Sequence, residues 1–105
     1  MTPSSRREQR AANAVAAGRT AVSKAQNLRE ALRRNSTPGS KDREQQLDSA
    51  LDEIDSAMYP IRSFLGRLPF VDLPDELEED IRQTSKDCQY ERRQLKKMQR
   101  RDPDA

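Results

Sequence analysis

The residue types that most often carry catalysis or bind metals are scarce in this chain of 105 residues. It contains no histidine, the side chain that serves most often as a general base and as a metal ligand. Its one cysteine, Cys88, provides neither a cysteine pair for zinc nor an internal disulfide. The three glycines are isolated and form no phosphate-binding loop. The sequence therefore predicts a non-enzymatic protein with no cofactor and no bound metal.

Two smaller groups of residues have chemical potential but favour structural roles. Five of the six residues at 75–80 are Asp or Glu, in a spacing that matches no calcium-binding loop. Negative charge is favourable at the start of a helix, so we interpret this cluster as a solvated helix N-terminus. Cys88 falls on an apolar helix face, which predicts a buried structural cysteine rather than a redox thiol.

Positive charge is concentrated in two segments, residues 1–35 and 82–101. Each has eight Lys or Arg and two acids, a local charge of +6, although the whole chain carries only +2. Such segments attract nucleic acid or an acidic protein. The arginines of the first segment occupy several helix faces rather than one stripe, which argues against nucleic acid as the leading interpretation.

The segment Pro69–Pro74 is short, stiff and apolar for a loop. It has two interpretations: it plugs one end of a helical bundle, or it forms an exposed docking site for a partner. The candidate partner-binding residues combine this segment with the basic end of the chain. They are Phe70, Val71, Leu73, Arg92, Arg93, Lys96, Lys97, Arg100 and Arg101.

Helices must position all of these residues, because apolar residues recur at helical spacing and nowhere alternate over strand length. Loop-like stretches at 35–40 and 68–74 divide one domain, residues 1–105, into three helices at about 6–34, 41–67 and 74–101. Ser5 and Ser40 are the predicted N-caps of the first two helices. The predicted fold class is all-α: an antiparallel, coiled-coil-like three-helix bundle in which Pro60 kinks the second helix.

Helix 2 carries a heptad seam, meaning a row of apolar positions that faces neighbouring helices. Its seven members are Leu47, Leu51, Ile54, Met58, Ile61, Leu65 and Leu68. Helix 1 has the same spacing with mostly small residues. In an antiparallel pair of helices, the residue numbers of facing positions have a constant sum. A sum of 79 places small residues of helix 1 opposite large residues of helix 2, with Gly18 facing Ile61. Helix 3 has a weaker seam, interrupted by Thr84, Cys88 and Glu91.

Two flanks of the hairpin formed by helices 1 and 2 compete for helix 3. The first flank is flatter and more apolar, it is interrupted mainly by Lys24, and it is formed by Ala17, Ala31, Ala50, Ala57 and Phe64. The second flank is mixed, and it is formed by Val15, Val22, Arg29, Asp48, Asp55 and Arg62. We predict that helix 3 docks on the first flank. On the second flank, an exposed Arg29–Asp48 pair contributes at most ~1 kcal/mol.

These observations favour a small regulator, inhibitor or adaptor that binds another protein through helix surfaces. The alternative is a nucleic-acid-binding or nucleoprotein-associated protein that uses the basic first helix and the basic C-terminal segment. We expect no membrane interaction, because no apolar run approaches the ~20 residues that span a bilayer, and we expect a cytoplasmic, intracellular location. Homodimer formation through the alanine-rich first helix stays open.

Overall fold

A computed structural model describes residues 3–35, 41–68 and 73–100 of the chain, with side chains for 6–34, 41–68 and 73–99. These residues form α1 (Pro3–Asn35), α2 (Lys41–Arg67) and α3 (Asp75–Arg100). All three pairs of helices are in contact, and the described residues contain no strand. The predicted all-α three-helix bundle is confirmed. Because consecutive helices are antiparallel, α1 and α3 run parallel.

The helix ends follow the local sequence with one correction. α2 begins at Lys41 and ends at Arg67, as the sequence predicts. α1 begins at Pro3, so Ser5 lies within the helix and the predicted N-cap there is wrong. Proline suits a first helical turn, where its missing N–H would have no intrahelical partner. The other predicted cap, Ser40, and the predicted end of helix 3 at Arg101 lie outside the described residues.

Pro60 does not break α2, which continues through it as one helix. A proline in a helix interior removes one backbone hydrogen bond. Tertiary packing compensates here, because the apolar positions on both sides of Pro60 keep the same phase. Met58 and Ile61 are both fully buried. The two halves of α2 therefore share one buried face.

The heptad seams form the core, including the seam of α3 that looks weak in sequence. Five of the seven seam residues of α2 are buried, and Leu65 and Leu68 are partly buried against them. In α1 the small seam residues are buried. Gly18 lies next to Ile61: a Cβ built on Gly18 would be 2.7 Å from the Ile61 Cδ1 atom. The α3 seam residues Ile81, Thr84, Cys88, Glu91 and Leu95 are buried as well.

Helix α3 docks on the second flank of the hairpin, and the prediction of the first flank is wrong. Three polar contacts identify the side. The Arg29 guanidinium donates to Glu91 of α3 at 2.8 Å. Arg92 donates to Asp55 at 2.8 Å. Further along, the Gln99 side chain donates to Asp48 at 2.6 Å. The predicted Arg29–Asp48 pair is therefore replaced by two contacts to α3. Ala17, on the first flank, is exposed to solvent.

The polar residues within the α3 seam explain this choice of side. Glu91 is a carboxylate at a core position, and its burial is costly unless a cation pairs with it. The second flank supplies that cation as Arg29, whereas the one cation named on the first flank, Lys24, contacts Glu53 of α2. The apolar character of a flank therefore does not by itself predict where α3 docks, because pairing one buried charge outweighs it.

Candidate functional site

The described residues contain no group of three or more metal-ligating side chains that could hold a metal ion. Separately, none of the helices there has both the length and the hydropathy that crossing a bilayer requires. Three features of the described residues have chemical or binding potential: the buried thiol, a cation-lined cavity at one end of the bundle, and an open groove between α1 and α2.

Cys88 is fully buried between α3 and α1, as the sequence predicts. Its thiol lies 3.8 Å from the carbonyl oxygen of Gly18, to which it donates a weak hydrogen bond. Burial, followed by the negative charges of Asp87 and Glu91, raises the pKa of the Cys88 thiol from 9.0 to about 11. Since the thiolate is the reactive form, these surroundings make Cys88 a structural residue.

We expect Cys88 to resist alkylation in the folded protein. At pH 8, iodoacetamide should modify it only after denaturation, and mass spectrometry of the intact chain reports the modification. Rapid alkylation of the native protein at pH 8 would contradict the assignment.

The raised pKa also has a consequence for stability. Between pH 9 and 11 the folded state keeps the thiol proton while the unfolded chain loses it, so stability falls as the pH rises through this window.

The cation-lined cavity, here called the basic cavity, lies where α1 and α3 end and α2 begins. Its volume is about 310 Å³. Residues from all three helices line it: Arg29, Leu32, Arg33, Arg43, Gln94, Lys97 and Met98. Four of these seven are cationic, and none is a carboxylate. The described lining is therefore positively charged and includes two apolar side chains, Leu32 and Met98.

A buried ion pair forms one wall of the basic cavity. The Arg29 guanidinium makes a two-pronged contact with the Glu91 carboxylate, at 2.8 and 3.1 Å. The side chains are only 15% and 2% exposed, respectively. Arg29 also lies 5.9 Å from the centre of the Tyr90 ring, within the range of a cation–π contact. The charge of Arg29 is thus balanced from within the bundle, unlike that of an ordinary surface arginine.

The predicted partner-binding residues separate into four groups. Leu73 is buried in the core, where it offers a partner almost no surface. Arg92 pairs with Asp55. Arg93 and Lys97 are exposed and Lys96 is half-buried, and Lys97 lines the basic cavity. Phe70, Val71 and Arg101, and the side chain of Arg100, lie outside the described residues.

The bundle brings only parts of the two basic segments together. Because α1 and α3 are parallel, the basic end of α1 meets the basic end of α3, and Arg33 joins Lys97 in one cavity. The arginines at the start of α1 lie at the opposite end, roughly 39 Å away at 1.5 Å per residue from Arg7 to Arg33. The acidic start of α3 lies beside the middle of α1, where Arg19 contacts Asp80 at 3.1 Å. The described parts of the two segments therefore form no continuous basic stripe.

The open groove, here called the α1–α2 groove, occupies the first flank that α3 leaves uncovered. Two adjoining cavities form it, of about 500 and 460 Å³. Small residues, chiefly Ala17, Ala21, Ala50 and Ala57, make up much of its lining. Lining residues on α2 run from position 42 to position 57, which is about 22 Å of helix.

The walls of the α1–α2 groove are acidic. Asp42, Asp52 and Glu53 line it, against one lining cation, Lys24, which contacts Glu53 at 3.5 Å. The lining therefore has an excess of two negative charges. Tyr59, seven residues after Asp52 on the same stripe of α2, is 79% exposed. An aromatic side chain so exposed beside a groove is a common feature of binding surfaces.

Sequence reasoning missed Arg29, Arg43 and Glu91 as members of the basic cavity or its wall. Glu91 carried a detectable signal, because a glutamate on an apolar seam needs a buried cation nearby. Arg43 carried none, since its place in the cavity depends on the side that α3 takes. Comparisons of this chain with protein-family models, with curated proteins and with solved structures give no match.

Proposed function

We propose that this protein is a non-enzymatic interaction module that binds a basic amphipathic helix of a partner protein in the α1–α2 groove. One observation carries the proposal. The sequence predicts that a helix covers the first flank of the hairpin, and in this chain that flank is open. A regulator, inhibitor or adaptor acts in this way, by presenting an incomplete bundle that a partner completes. A cytoplasmic location belongs to the proposal, because the lone thiol of Cys88 has no cysteine partner in the chain.

The shape of the groove suits a helix rather than an extended peptide. Alanine side chains let two helix backbones approach closely, and packed helices lie 8–10 Å apart in general. A helix added against α1 and α2 would convert three helices into a four-helix arrangement. The lined length of about 22 Å corresponds to roughly four helical turns of partner.

The charge of the groove selects the chemistry of the partner. Three lining carboxylates against one lysine favour Lys and Arg on the edges of the incoming helix. Two copies of this chain meeting groove to groove would bring Asp52 and Glu53 close to their own copies. Like charges in contact disfavour that dimer, so the proposal favours a different protein over self-association.

Tyr59 supplies a candidate anchor for the interaction. Tyrosine is enriched among residues that dominate binding energy, because it buries a large ring and keeps a hydroxyl for hydrogen bonding. Its position on the Asp52 stripe places it beside the groove, and its exposure leaves it available. Removal of the ring should therefore weaken binding and leave the folding of the bundle unchanged.

The experiment that tests the proposal selects helical peptides of 20 residues, displayed with randomised surface positions, on the purified chain. We expect the selected peptides to be amphipathic with net positive charge. Their affinity should fall at least tenfold for Ala17→Arg, which places bulk and positive charge in the groove. Fluorescence anisotropy with labelled peptides measures the affinities.

The matched control is Ala16→Arg, one residue away. Ala16 is exposed but does not line the groove. This variant adds the same side chain to the same helix, so its affinity for the selected peptides should equal that of the unmodified chain. Peptides that are acidic, or that bind both variants equally, would contradict the proposal. Tyr59→Ala should weaken the same peptides several-fold with no change in melting temperature.

A further inference from the structure

We infer that the α1–α2 groove contains an arginine subsite, formed by the Asp52 carboxylate, the Ser56 backbone carbonyl and the Tyr59 ring. The inference rests on the proposed function, because it names the residue of the partner helix that the groove recognises. The three groups come from successive turns of one face of α2. Asp52 and Ser56 line the same cavity of about 500 Å³, and Tyr59 is exposed beside it.

Pro60 leaves the Ser56 carbonyl without its usual donor. In an α-helix the carbonyl oxygen of each residue accepts a hydrogen bond from the N–H four residues later. Four residues after Ser56 comes Pro60, inside the continuous helix α2, and proline has no N–H. Ser56 is exposed and lines the groove. Its carbonyl oxygen is therefore an acceptor that a donor from outside the helix backbone can satisfy.

The Asp52 carboxylate adds a negative charge one turn before Ser56, since residues four apart are neighbours on a helix face. The adjacent carboxylate, Glu53, contacts Lys24 at 3.5 Å. In the part of the chain that the structure describes, none of the ion pairs involves Asp52. The groove thus places a carboxylate and a backbone acceptor side by side, an arrangement that suits a cation with several hydrogen-bond donors.

The aromatic ring and the number of acceptors favour arginine over lysine. Side chains in a helix lean towards its N-terminus, so the Tyr59 ring is directed towards the turn that carries Ser56. A guanidinium has five N–H donors in one plane, and it stacks on aromatic faces. It can donate to the carboxylate and to the carbonyl while its plane lies against the ring. An ammonium group has three donors and no plane to stack, so lysine makes fewer of these contacts.

Peptide binding to the full chain tests the subsite. The helical peptides selected on the groove should share an arginine at one position. Replacement of that arginine by lysine or by uncharged citrulline should weaken binding about tenfold, as measured by fluorescence anisotropy. A selection that yields no binding peptide would refute the proposed function and the subsite with it. Peptides that bind but tolerate lysine at every arginine would refute the subsite alone.

Pro60→Ala tests the part played by the carbonyl, because alanine restores the N–H that Ser56 accepts in a regular helix. Alanine is a far better helix former than proline, so the melting temperature should not fall and a loss of binding cannot be a loss of folding. We expect the variant to weaken the arginine peptide about fivefold and to leave the affinity of its lysine form nearly unchanged, since the two changes remove the same contact.

Asp42→Asn is the matched control. Asp42 lines the groove, but it lies about 15 Å from Asp52 along α2. The variant removes the same charge from the same groove, so it should weaken the arginine peptide and its lysine form by equal factors. A Pro60→Ala variant that weakens both peptides equally would indicate a change in the shape of the groove. That result, or no effect on either peptide, would overturn the arginine subsite.

Discussion

Replacement of Glu91 by leucine should destabilise the bundle by about 3–5 kcal/mol, the usual cost of removing one partner of a buried ion pair. The Glu91 side chain is only 2% exposed, and the Arg29 side chain that it neutralises is 15% exposed. Leucine fills a similar volume but leaves the guanidinium charge without its carboxylate in a poorly hydrated position. Chemical denaturation followed by circular dichroism measures the free energy of unfolding.

A second substitution separates the charge effect from the packing effect. In the double variant Arg29→Leu/Glu91→Leu no charge is left unpaired, and exchange of a buried pair for apolar residues is often close to neutral. We expect it to recover stability to within about 1 kcal/mol of the unmodified chain. Glu91→Gln keeps a neutral acceptor for Arg29, so its free energy of unfolding should lie between those of Glu91→Leu and the double variant. A double variant as unstable as Glu91→Leu alone would show that packing, and not charge, holds this position.

The apolar part of the fold was predictable because the heptad spacing is nearly complete. Large residues at every seam position of α2 determine which face of that helix is buried. Small residues at matching positions of α1 determine its partner face, and the predicted neighbours Gly18 and Ile61 do approach each other. Both conclusions depend on spacing and size, which a sequence displays directly.

The side on which α3 docks was not predictable from apolar content, because two polar requirements decide it. Glu91 needs a buried cation, and Asp48 and Asp55 accept hydrogen bonds from Gln99 and Arg92 of α3. Each contact joins residues far apart in sequence, so the pairing becomes visible only once the helices are placed. Both flanks carry a cation, and the structure shows that Arg29 of the second flank contacts Glu91, while Lys24 of the first flank contacts Glu53.

Both candidate sites depend on the side that α3 takes, and for this reason neither was predictable in full from the sequence. With α3 on the second flank, Arg43 and Lys97 line the same cavity, and Ala17 is left in an open groove. Had α3 covered the first flank, the α1–α2 groove would be core. The residues individually suggested partner binding. Their grouping into a basic cavity and an acidic groove is a property of the assembled bundle.

The position most sensitive to added volume is Gly18. A Cβ at this position would sit 2.7 Å from the Ile61 Cδ1 atom and still closer to the Cγ2 methyl of Thr84. Ile61 can move the end of its side chain, but the β-branched Thr84 is restricted in its rotamers. The glycine thus lets α1 approach α2 and α3 at the same level of the bundle.

Gly18→Leu should therefore lower the free energy of unfolding by a net ~2 kcal/mol, since overpacking at about 3 kcal/mol exceeds the gain in helix propensity of roughly 0.8 kcal/mol. Gly66→Leu is the matched control, because a Cβ on Gly66 in α2 meets nothing within 4 Å. There the gain in propensity acts alone, and the variant should equal or exceed the unmodified chain in stability. In thermal melts, the melting temperature should fall for Gly18→Leu and should stay the same or rise for Gly66→Leu. A melting temperature that rises for Gly18→Leu would mean that α1 does not pack against α2 and α3 at this level.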